Sequence, residues 1–454
     1  MEENTREELL KLFQSKLNQT MKFYLESCSR CGLCVKACHV HESMPHVKHI
    51  AAYRAEIVRR IYKKYFKPQG KLWPSLGESK PLTEMALQEL YDAAYSCTGC
   101  RRCMVYCPFG IDTQMIMSIA KLLLVGSGSE PEVLTMLADM SIEKANAMEF
   151  VKEGWLTGIR NLEEQVVSKW KMESGGTAIP VDVEGADLLY VALAGAHSII
   201  PAAAVFNAAG ENWTLSFFEA VNFGAFVGDP TRTKLIMERI VNEAKRLKVK
   251  EVCICECGTA FRVMKQMSGK QPFAVSSVTE VHARYIREGR IKLDKSKFKG
   301  AITYHDPCQM ARNGGIIDEP RYILENLTDD FRDMAPDPQY NWCCGGGGGL
   351  VALGDETLDF RMKSSRVKAD QIKETGAGIL ATACENCHTQ LSDLNSHYDL
   401  GVSVHFLTSM VADALATEET KHTSKVRKIK PHHVSSAPAP TREPQAAGAS
   451  SSSV

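Results

Sequence analysis

The chain has 454 residues, of which 44% are hydrophobic and 24% charged, so it can fold into two or three domains that each bury a core. Its 54 Lys and Arg residues equal its 54 Asp and Glu residues in number. This balance leaves no overall field that would attract nucleic acid, and we expect no nucleic-acid partner.

The N-terminal segment and the cysteine content indicate where the chain resides. Residues Glu2 to Thr20 are charged and lack the apolar core of an export signal, so we expect a cytoplasmic protein. Sixteen cysteines would not persist there as disulfides, and their clustering indicates metal or redox sites. The most apolar stretch, Leu188 to Gly210, is interrupted by His197 and Pro201. It predicts a buried strand and helix, and we expect no transmembrane segment.

Residues 1 to about 170 carry mostly helical patterns. One apolar stripe at three- and four-residue steps consists of Leu9, Leu10, Phe13, Leu17 and Met21. A second stripe consists of Tyr53, Ile57, Ile61 and Tyr65. The other faces of that second helix carry Arg54, Arg59, Arg60, Lys63 and Lys64. These bases indicate a solvated face, or alternatively a docking patch for an acidic partner.

Two cysteine motifs with the spacing C-x2-C-x2-C-x3-C lie in this helical part. They comprise Cys28, Cys31, Cys34 and Cys38, and then Cys97, Cys100, Cys103 and Cys107. With this spacing, three thiolates hold one 4Fe-4S cube and the fourth reaches the other cube. We therefore predict that Cys107 completes the first cluster and that Cys38 completes the second. Zinc is a weak alternative, because zinc motifs seldom place four cysteines so close together.

The first motif departs from the bacterial pattern at one position, since His39 rather than proline follows Cys38. Proline at that position only shapes the turn, so ligation by Cys38 is still expected. About 58 residues separate the two motifs, far more than in a compact small ferredoxin. The inserted helices predict a helical ferredoxin module of the kind that relays electrons in larger reductases.

From about residue 176 the pattern changes to short apolar runs that alternate with helices, which is typical of α/β domains with largely parallel sheets. The predicted strands are Leu188 to Leu193, Glu251 to Cys255, Ala301 to His305 and Ile379 to Thr382. A similar order of parts occurs twice, with 22 residues from Cys257 to Thr279 and 21 from Cys387 to Thr408. We therefore predict one duplicated unit.

A third cysteine set with the pattern C-x34-C-C-G-x38-C-x-x-C lies in the second copy. It consists of Cys308, Cys343, Cys344, Cys384 and Cys387. Side chains of adjacent residues diverge, so the pair at 343 and 344 can hold two different irons more easily than one. The glycines at 345 to 349 let the backbone approach a cluster closely. No Lys-Ser or Lys-Thr follows them, so a phosphate loop is not indicated.

This third set resembles the cysteine-rich CCG domain of the heterodisulfide reductase superfamily. With the double-cluster module, the chain is similar to cytoplasmic iron-sulfur subunits of transmembrane redox complexes in sulfate-reducing bacteria. The similar segments are Cys28-Ser-Arg-Cys-Gly-Leu-Cys, Cys107-Pro-Phe-Gly-Ile-Asp and Cys255-Glu-Cys-Gly. The resemblance covers about residues 20 to 412. It implies a noncubane 4Fe-4S cluster bound by the five thiolates of the third set.

The first copy departs from the full CCG pattern. Ala194 takes the position of the lone cysteine and residues 222–224, Asn-Phe-Gly, take the CCG position, so we expect no cluster there. Three cysteines remain, alternating along a predicted strand: Cys253, Cys255 and Cys257. Cys253 is interpreted as a core residue. Cys257, matched in sequence to Cys387, is either a core residue, a thiol that faces the substrate, or an extra ligand.

Three polar residues flank the third set, namely His305 and Asp306 before Cys308 and His388 after Cys387. A histidine can donate a proton to a departing thiolate at neutral pH. The alternative is a hydrogen bond from the histidine to a cluster sulfur. The candidate catalytic residues are therefore His305, His388 and Cys257.

The predicted fold is α+β overall, with four segments. Residues 1–175 form a helical ferredoxin-like domain with two cubane 4Fe-4S clusters, and 176–295 form a first CCG half without a cluster. Residues 296–414 form the complete CCG half with the noncubane cluster. Residues 415–454 are rich in Lys, Arg, Ser, Pro and Ala, and we expect a disordered tail.

The resemblance implies an oxidoreductase subunit that is peripheral on the cytoplasmic face of the inner membrane. A membrane-embedded quinone or cytochrome subunit would exchange electrons with the cubanes, and the noncubane site would cleave or form a disulfide or trisulfide on a small sulfur-carrier protein. The direction of electron flow stays open. One alternative is a non-catalytic electron relay. Another is the iron-sulfur partner of a glycolate or glycerol phosphate flavin dehydrogenase, although such relatives usually keep two complete CCG sites.

Overall fold

The computed structural model describes residues 1–73, 78–146, 148–170, 178–192, 195–216, 222–336 and 338–416. The predicted domain boundary at 175/176, the predicted lone-cysteine match at Ala194 and nearly all of the predicted tail lie outside these residues. The described part contains helices and two parallel sheets, which confirms the predicted mixed fold. None of the helices in that part combines the length and the hydropathy of a transmembrane segment.

The N-terminal part is helical, as its periodicity predicts. Its helices are α1 (Glu3–Ser15), α2 (Gln19–Glu26), α3 (His39–Ser43), α4 (Ala51–Phe66), α5 (Pro68–Leu72), α6 (Glu84–Tyr95), α7 (Arg102–Tyr106), α8 (Thr113–Ser127), α9 (Glu132–Asn146) and α10 (Met148–Trp170). Short 3₁₀ turns occupy Leu33–Val35 and Val47–His49. The central element is α8, which packs against α1, α2, α4 and α6. It begins where the Asp112 carboxylate accepts hydrogen bonds from the backbone N–H groups of Gln114 and Met115.

The two predicted apolar stripes are only partly regular. The first is divided between α1 and α2, because the chain leaves the helix after Ser15 and restarts at Gln19 with Asn18 as the N-cap. The second lies on α4, as predicted, with Ile57 and Ile61 buried. The interpretation of the α4 bases as a solvated face was wrong for two of them. Arg54 and Arg59 are buried, because Arg54 faces the cysteines and Arg59 pairs with Glu56.

The remainder of the described chain contains two four-stranded parallel sheets. The first consists of β1 (Leu188–Val191), β2 (Trp213–Leu215), β3 (Glu251–Ile254) and β4 (Ala274–Ser277), in the order β2-β1-β3-β4. The second consists of β5 (Ile302–His305), β6 (Phe331–Arg332), β7 (Ile379–Thr382) and β8 (Ser403–Phe406), in the order β6-β5-β7-β8. The identical strand order confirms the predicted duplication.

Helices cover both sheets. In the first half they are α11 (Ala196–Ala208), α12 (Phe223–Val227), α13 (Pro230–Arg246), α14 (Gly258–Met267) and α15 (Val278–Arg287). In the second half they are α16 (Asp318–Leu327), α17 (Asp355–Ser364), α18 (Arg366–Thr375), α19 (Glu385–Tyr398) and α20 (Leu407–Asp413). Further 3₁₀ turns occupy Lys295–Lys297 and Val351–Leu353. One apolar core runs through both halves, with α20 packed on α11 and α15 packed on α16.

Candidate functional site

The first ferredoxin motif gathers around the 3₁₀ turn that contains Cys34. Burial raises the pKa of the Cys34 thiol, and the nearby sulfurs of Cys28 and Cys107 add to the rise. Cys28 follows α2, and Cys107 comes from the second motif at the end of α7. Cys31 lies exposed in the loop between α2 and the 3₁₀ turn. The structure therefore places Cys107 with the first motif, across about 70 residues of chain.

The second motif receives a thiol in return. Burial raises the pKa of Cys103 well above the usual thiol value, and neighbouring Cys100, Cys97 and Cys38 contribute further. Cys38 belongs to the first motif in sequence but lies among the thiols of the second. Its Sγ accepts a hydrogen bond of 3.5 Å from the guanidinium of Arg54 on α4.

The five cysteines of the third set converge at the carboxyl ends of β5 and β7. Cys308 follows β5, Cys384 is the N-cap of α19 and Cys387 lies in its first turn. The Sγ atoms of Cys344 and Cys387 are 3.3 Å apart. Cys343 lies beside both Cys308 and Cys344. All five side chains are buried, although 34 and 39 residues separate the three parts of the set in sequence.

The glycine run at 345–349 brings this set against the second ferredoxin motif. A Cβ added to Gly348 would lie 2.7 Å from the carbonyl oxygen of Cys97, and one added to Gly347 would lie 2.8 Å from that of Thr98. Gly348 also has a φ of +71°, which favours glycine. The backbone N–H groups of Gly345 and Gly346 donate to the sulfurs of the two preceding cysteines, at 3.4 Å each. Glycine is therefore the residue that fits where the 345–349 loop passes the loop of Cys97 and Thr98.

A direct contact joins the second ferredoxin set to the third set. Cys343 lies against Cys100, and contact between these two thiols is the largest influence that raises the pKa of Cys100 to about 11. The Cys343 Sγ also lies 3.4 Å from the Oγ1 of Thr98. The sulfur sites of the two domains therefore adjoin through their own side chains.

Buried cations surround these sulfurs. Arg54, Lys121 and Lys368 are each less than a tenth exposed. Among the described residues, none of the three forms an ion pair with a carboxylate. Burial lowers the pKa of Lys121 to about 8 and that of Lys368 to about 7, while nearby cysteines oppose the shift. Buried charges need an opposite charge nearby, and thiolate-bound iron-sulfur clusters would supply it.

A cavity of about 80 Å³ lies where the ferredoxin domain and both CCG halves meet. Its wall includes Cys308, Cys384 and Cys387 from the third set, together with Lys121 from α8 and Arg262 from α14. Arg262 donates to the amide oxygen of Gln114 at 3.0 Å, and burial lowers its pKa to about 10. Four of the five thiols of the third set line this cavity, so a cluster held by them would take up part of it.

Two of the three predicted catalytic residues, His305 and His388, occupy different environments. His305 is buried at the end of β5, and a ring nitrogen lies within 4.8 Å of the sulfurs of Cys344 and Cys387. Neither of its ring nitrogens has a hydrogen-bond partner among the described residues. His388 is half-buried and stacks on Phe406, with ring centroids 4.0 Å apart. Asp306, the third flanking residue, pairs with Arg321 at 2.9 Å.

Cys257 lies near the third set, but at a different matched position from the one predicted. It is the N-cap of α14, just as Cys384 is the N-cap of α19, so the two copies align Cys257 with Cys384 rather than with Cys387. The one-residue difference in loop length after β3 and β7 concealed this match. Burial raises the pKa of Cys257 to about 12, with Cys384 adding to the shift. Cys253 and Cys255 lie fully buried in the core.

Sequence reasoning missed several residues that contact the site. Lys121 bonds to the carbonyl oxygens of Phe226 and Gly348, and Lys368 bonds to the amide oxygen of Asn341 at 2.6 Å. Single lysines on amphipathic helices give no signal that separates them from solvated ones. Gly258 was also missed, although its N–H donates to the sulfur of Cys384 across the two halves.

Comparison with known proteins agrees with this arrangement. Residues 24–111 match a 4Fe-4S dicluster domain, and residues 302–392 match a cysteine-rich CCG domain. The chain is 29% identical to Hdr-like menaquinol oxidoreductase iron-sulfur subunit 2 of Archaeoglobus fulgidus, over 91% of this chain and 84% of that protein. It is 28% identical to one subunit of the dihydromethanophenazine:CoB–CoM heterodisulfide reductase of Methanosarcina barkeri, over 86% of this chain and 94% of that protein.

A third relative is named for a different activity. The EtfAB:quinone oxidoreductase of Syntrophomonas wolfei is 24% identical over 81% of this chain and 55% of that protein. The cysteine motifs, the two domain matches and these relatives agree on one class. The chain is an iron-sulfur oxidoreductase subunit with a 4Fe-4S dicluster domain and a CCG domain, homologous to subunits of heterodisulfide reductase and of Hdr-like menaquinol oxidoreductases.

Proposed function

We propose that this chain carries electrons through two cubane 4Fe-4S clusters to a noncubane 4Fe-4S cluster at which a disulfide or trisulfide is cleaved or formed. The first cubane would be held by Cys28, Cys31, Cys34 and Cys107, and the second by Cys38, Cys97, Cys100 and Cys103. The noncubane cluster would be held by Cys308, Cys343, Cys344, Cys384 and Cys387. The observation that carries the proposal is the convergence of the last five thiols beside Cys100.

The donor sets fit iron-sulfur clusters better than single metal ions. Five sulfurs exceed the four ligands of a tetrahedral zinc site, and thiolates are soft ligands that suit iron-sulfur chemistry. The buried cations Arg54, Lys121 and Lys368 fit clusters of net negative charge. When bound, the clusters would supply electrons one at a time, whereas cleavage of a sulfur-sulfur bond consumes two.

The chain's own residues then perform three tasks at the third site. The glycine run keeps Cys343 against Cys100, so that the two sulfur sites stay adjacent. Burial of the five thiols excludes water from them. The cavity lined by Cys308, Cys384 and Cys387 would receive the cluster itself.

His305, Cys257 and His388 receive separate roles in this proposal. His305 donates a hydrogen bond to the sulfur of Cys344 or Cys387, which agrees with its two unpartnered nitrogens. Cys257 places its thiol next to Cys384. His388 packs its ring against Phe406 at the start of α19. Proton delivery by His305 is the catalytic alternative. In His305→Gln, an altered pH profile of turnover would support proton delivery, and an unchanged profile with a shifted cluster potential would support the hydrogen bond.

Partners and location follow from resemblance and from the relatives' names. The name of the Archaeoglobus fulgidus relative, an iron-sulfur subunit of an Hdr-like menaquinol oxidoreductase, supports a membrane-embedded quinone or cytochrome subunit as electron partner. A position on the cytoplasmic face of the inner membrane agrees with this partner. A small sulfur-carrier protein is the substrate that the resemblance to sulfate-reducer subunits implies.

Electron paramagnetic resonance of the anaerobically oxidised protein tests the proposal. Adding a thiol such as glutathione should produce a new paramagnetic signal, because the thiol binds where a cleaved sulfur would be held. The signal should disappear in Cys343→Ser and persist in Cys253→Ser, which alters a buried cysteine of the first half. A signal that survives in Cys343→Ser would contradict the assignment.

A non-catalytic electron relay is the second candidate. The similarity to an EtfAB:quinone oxidoreductase favours it, because that name includes no disulfide chemistry. Dithionite-reduced protein distinguishes the two functions when it is mixed with glutathione disulfide or with a disulfide-linked peptide. Cleavage of either above the rate of a Cys343→Ser control supports the disulfide reductase, and cleavage of both at the control rate supports the relay.

A further inference from the structure

The residue that replaces the motif proline lies between the second and third sulfur sets. His39 follows Cys38 and is the first residue of α3. It is only 2% exposed, and among the described residues neither ring nitrogen has a hydrogen-bond partner. Buried imidazole nitrogens without partners are rare in native proteins, so an acceptor or donor is expected close to the ring of His39.

The surroundings of His39 point to sulfur as that partner. One ring nitrogen lies within 4.8 Å of the Sγ atoms of both Cys100 and Cys343, which themselves lie within the same distance of each other. Cys100 belongs to the set proposed for the second cubane and Cys343 to the CCG set. The His39 ring therefore lies beside a contact between thiols of the two sites.

The backbone around His39 is held by both domains. The guanidinium of Arg102 donates to the carbonyl oxygens of Ala37 at 2.9 Å and of Tyr340 at 2.6 Å, and it stacks 3.4 Å above the ring of Trp342. At the other end of α3, the hydroxyl of Ser43 accepts a hydrogen bond of 3.1 Å from the N–H of Val367. These bonds fix the ring position relative to the CCG loop as well as to the ferredoxin motif.

We propose that His39 is a positioning residue that donates an N–H hydrogen bond to the thiolate sulfurs of Cys100 and Cys343 and so adjusts electron exchange between the second cubane and the CCG site. The proposal rests on the proposed cluster ligation. A hydrogen bond to a ligand sulfur stabilises the more negative, reduced state of a cluster. Proline, the usual residue at this position, has no side-chain donor.

The first test uses the wild-type holoprotein labelled with ¹⁵N-histidine. Pulsed EPR of the dithionite-reduced protein should detect weak hyperfine coupling between the second cubane and a histidine ¹⁵N. The coupling should disappear in His39→Gln and remain in His41→Ala, a change on the same short helix. If the wild-type protein shows reduced cubane signals without any histidine coupling, the role of His39 is overturned and the cluster assignment stands.

The second test measures the reduction potential of the second cubane by EPR-monitored titration. His39→Ala and His39→Pro should shift its one-electron equilibrium about tenfold toward the oxidised form, equivalent to a potential lower by about 59 mV. His39→Gln, which keeps an N–H donor, should recover at least half of that shift. Unchanged potentials in all three variants would overturn the proposal. Absence of cubane signals from the wild-type protein would overturn both this proposal and the proposed function.

Discussion

In the first half of the duplicated unit, strand β3 leads into α14 through Cys257, and in the second half β7 leads into α19 through Cys384. The strand order and the parallel pairing are the same in both halves. In the first half, however, Asn222 caps α12 where the second half has its cysteine pair and glycine run. The sheet depends on apolar packing, whereas the sulfur site depends on three loops, so the fold persists where the loops have lost their cysteines.

The first half has gained a supporting role beside the second. The backbone N–H of Gly258 donates to Cys384, and a Cβ at Gly258 would lie 2.7 Å from the Cβ of Gln309. Phe226 packs near the glycine run, and its carbonyl oxygen accepts from Lys121. The half without a complete cysteine set thus forms one wall of the site in the other half.

The largest expected effect is on iron content, when each of the matched N-cap cysteines is replaced by serine. Cys384→Ser should lower the iron content from about twelve to about eight atoms per chain, because serine is a poor ligand for the third cluster. Cys257→Ser, at the equivalent position of the first half, should leave about twelve. Anaerobic iron analysis of both variants measures the difference. Equal iron loss in the two variants would mean that the halves share ligation and would contradict the comparison.

A second prediction concerns the contact between the glycine run and the ferredoxin loop. Gly348→Ala should destabilise the protein by about 2–3 kcal/mol, because its Cβ meets the Cys97 carbonyl and its φ is positive. Gly401→Ala is the matched control, since Gly401 also has a positive φ but has no atom within 4 Å of the added Cβ. It should cost about 1 kcal/mol. Anaerobic thermal unfolding compares them, and equal melting temperatures would contradict the close approach.

A third prediction concerns a position at which the first half has a buried histidine and the second half has a valine. Burial lowers the pKa of His282 to about 3, and Val411 occupies the matching position of the second half. Between pH 6.5 and 3 the unfolded chain binds a proton that the folded chain does not, so stability falls as pH falls. The loss is about 1.4 kcal/mol per pH unit below 6.5.

The variant His282→Val makes this position of the first half like the second. It should remove part of the acid sensitivity while leaving stability above pH 7 almost unchanged. Urea unfolding of both proteins from pH 7.5 to 5 measures the two slopes. Parallel slopes would show that the proton is taken up elsewhere.

The smallest expected effect concerns Thr98, whose hydroxyl lies 3.4 Å from the sulfur of Cys343. Thr98→Val should cost about 0.5–1 kcal/mol, the usual net value of one hydrogen bond, and should leave the iron content unchanged. Thr98→Ser keeps the hydroxyl and serves as control. A loss of iron in Thr98→Val but not in Thr98→Ser would give the hydroxyl a larger part in cluster binding than a single bond supplies.

Much of the architecture could be predicted from spacing and periodicity. The crossed placement of Cys38 and Cys107 follows from ferredoxin spacing, and the duplicated sheets follow from two similar runs of strands and helices. The burial of Arg54 could not be predicted, because its charge is matched by thiols that come from distant parts of the chain. The match of Cys257 to Cys384 was missed because helix starts, not intervals between residues, define equivalent positions. The place of His39 depends on domain packing, which local patterns do not encode.

The central claim is that Cys308, Cys343, Cys344, Cys384 and Cys387 hold a third iron-sulfur cluster of a different kind from the two cubanes. Mössbauer spectroscopy of the anaerobically purified, ⁵⁷Fe-enriched wild-type protein, with iron quantified per chain, tests it most directly. The account predicts about twelve iron atoms, one third of which give a quadrupole doublet distinct from that of the cubanes. About eight iron atoms, all with cubane parameters, would contradict it.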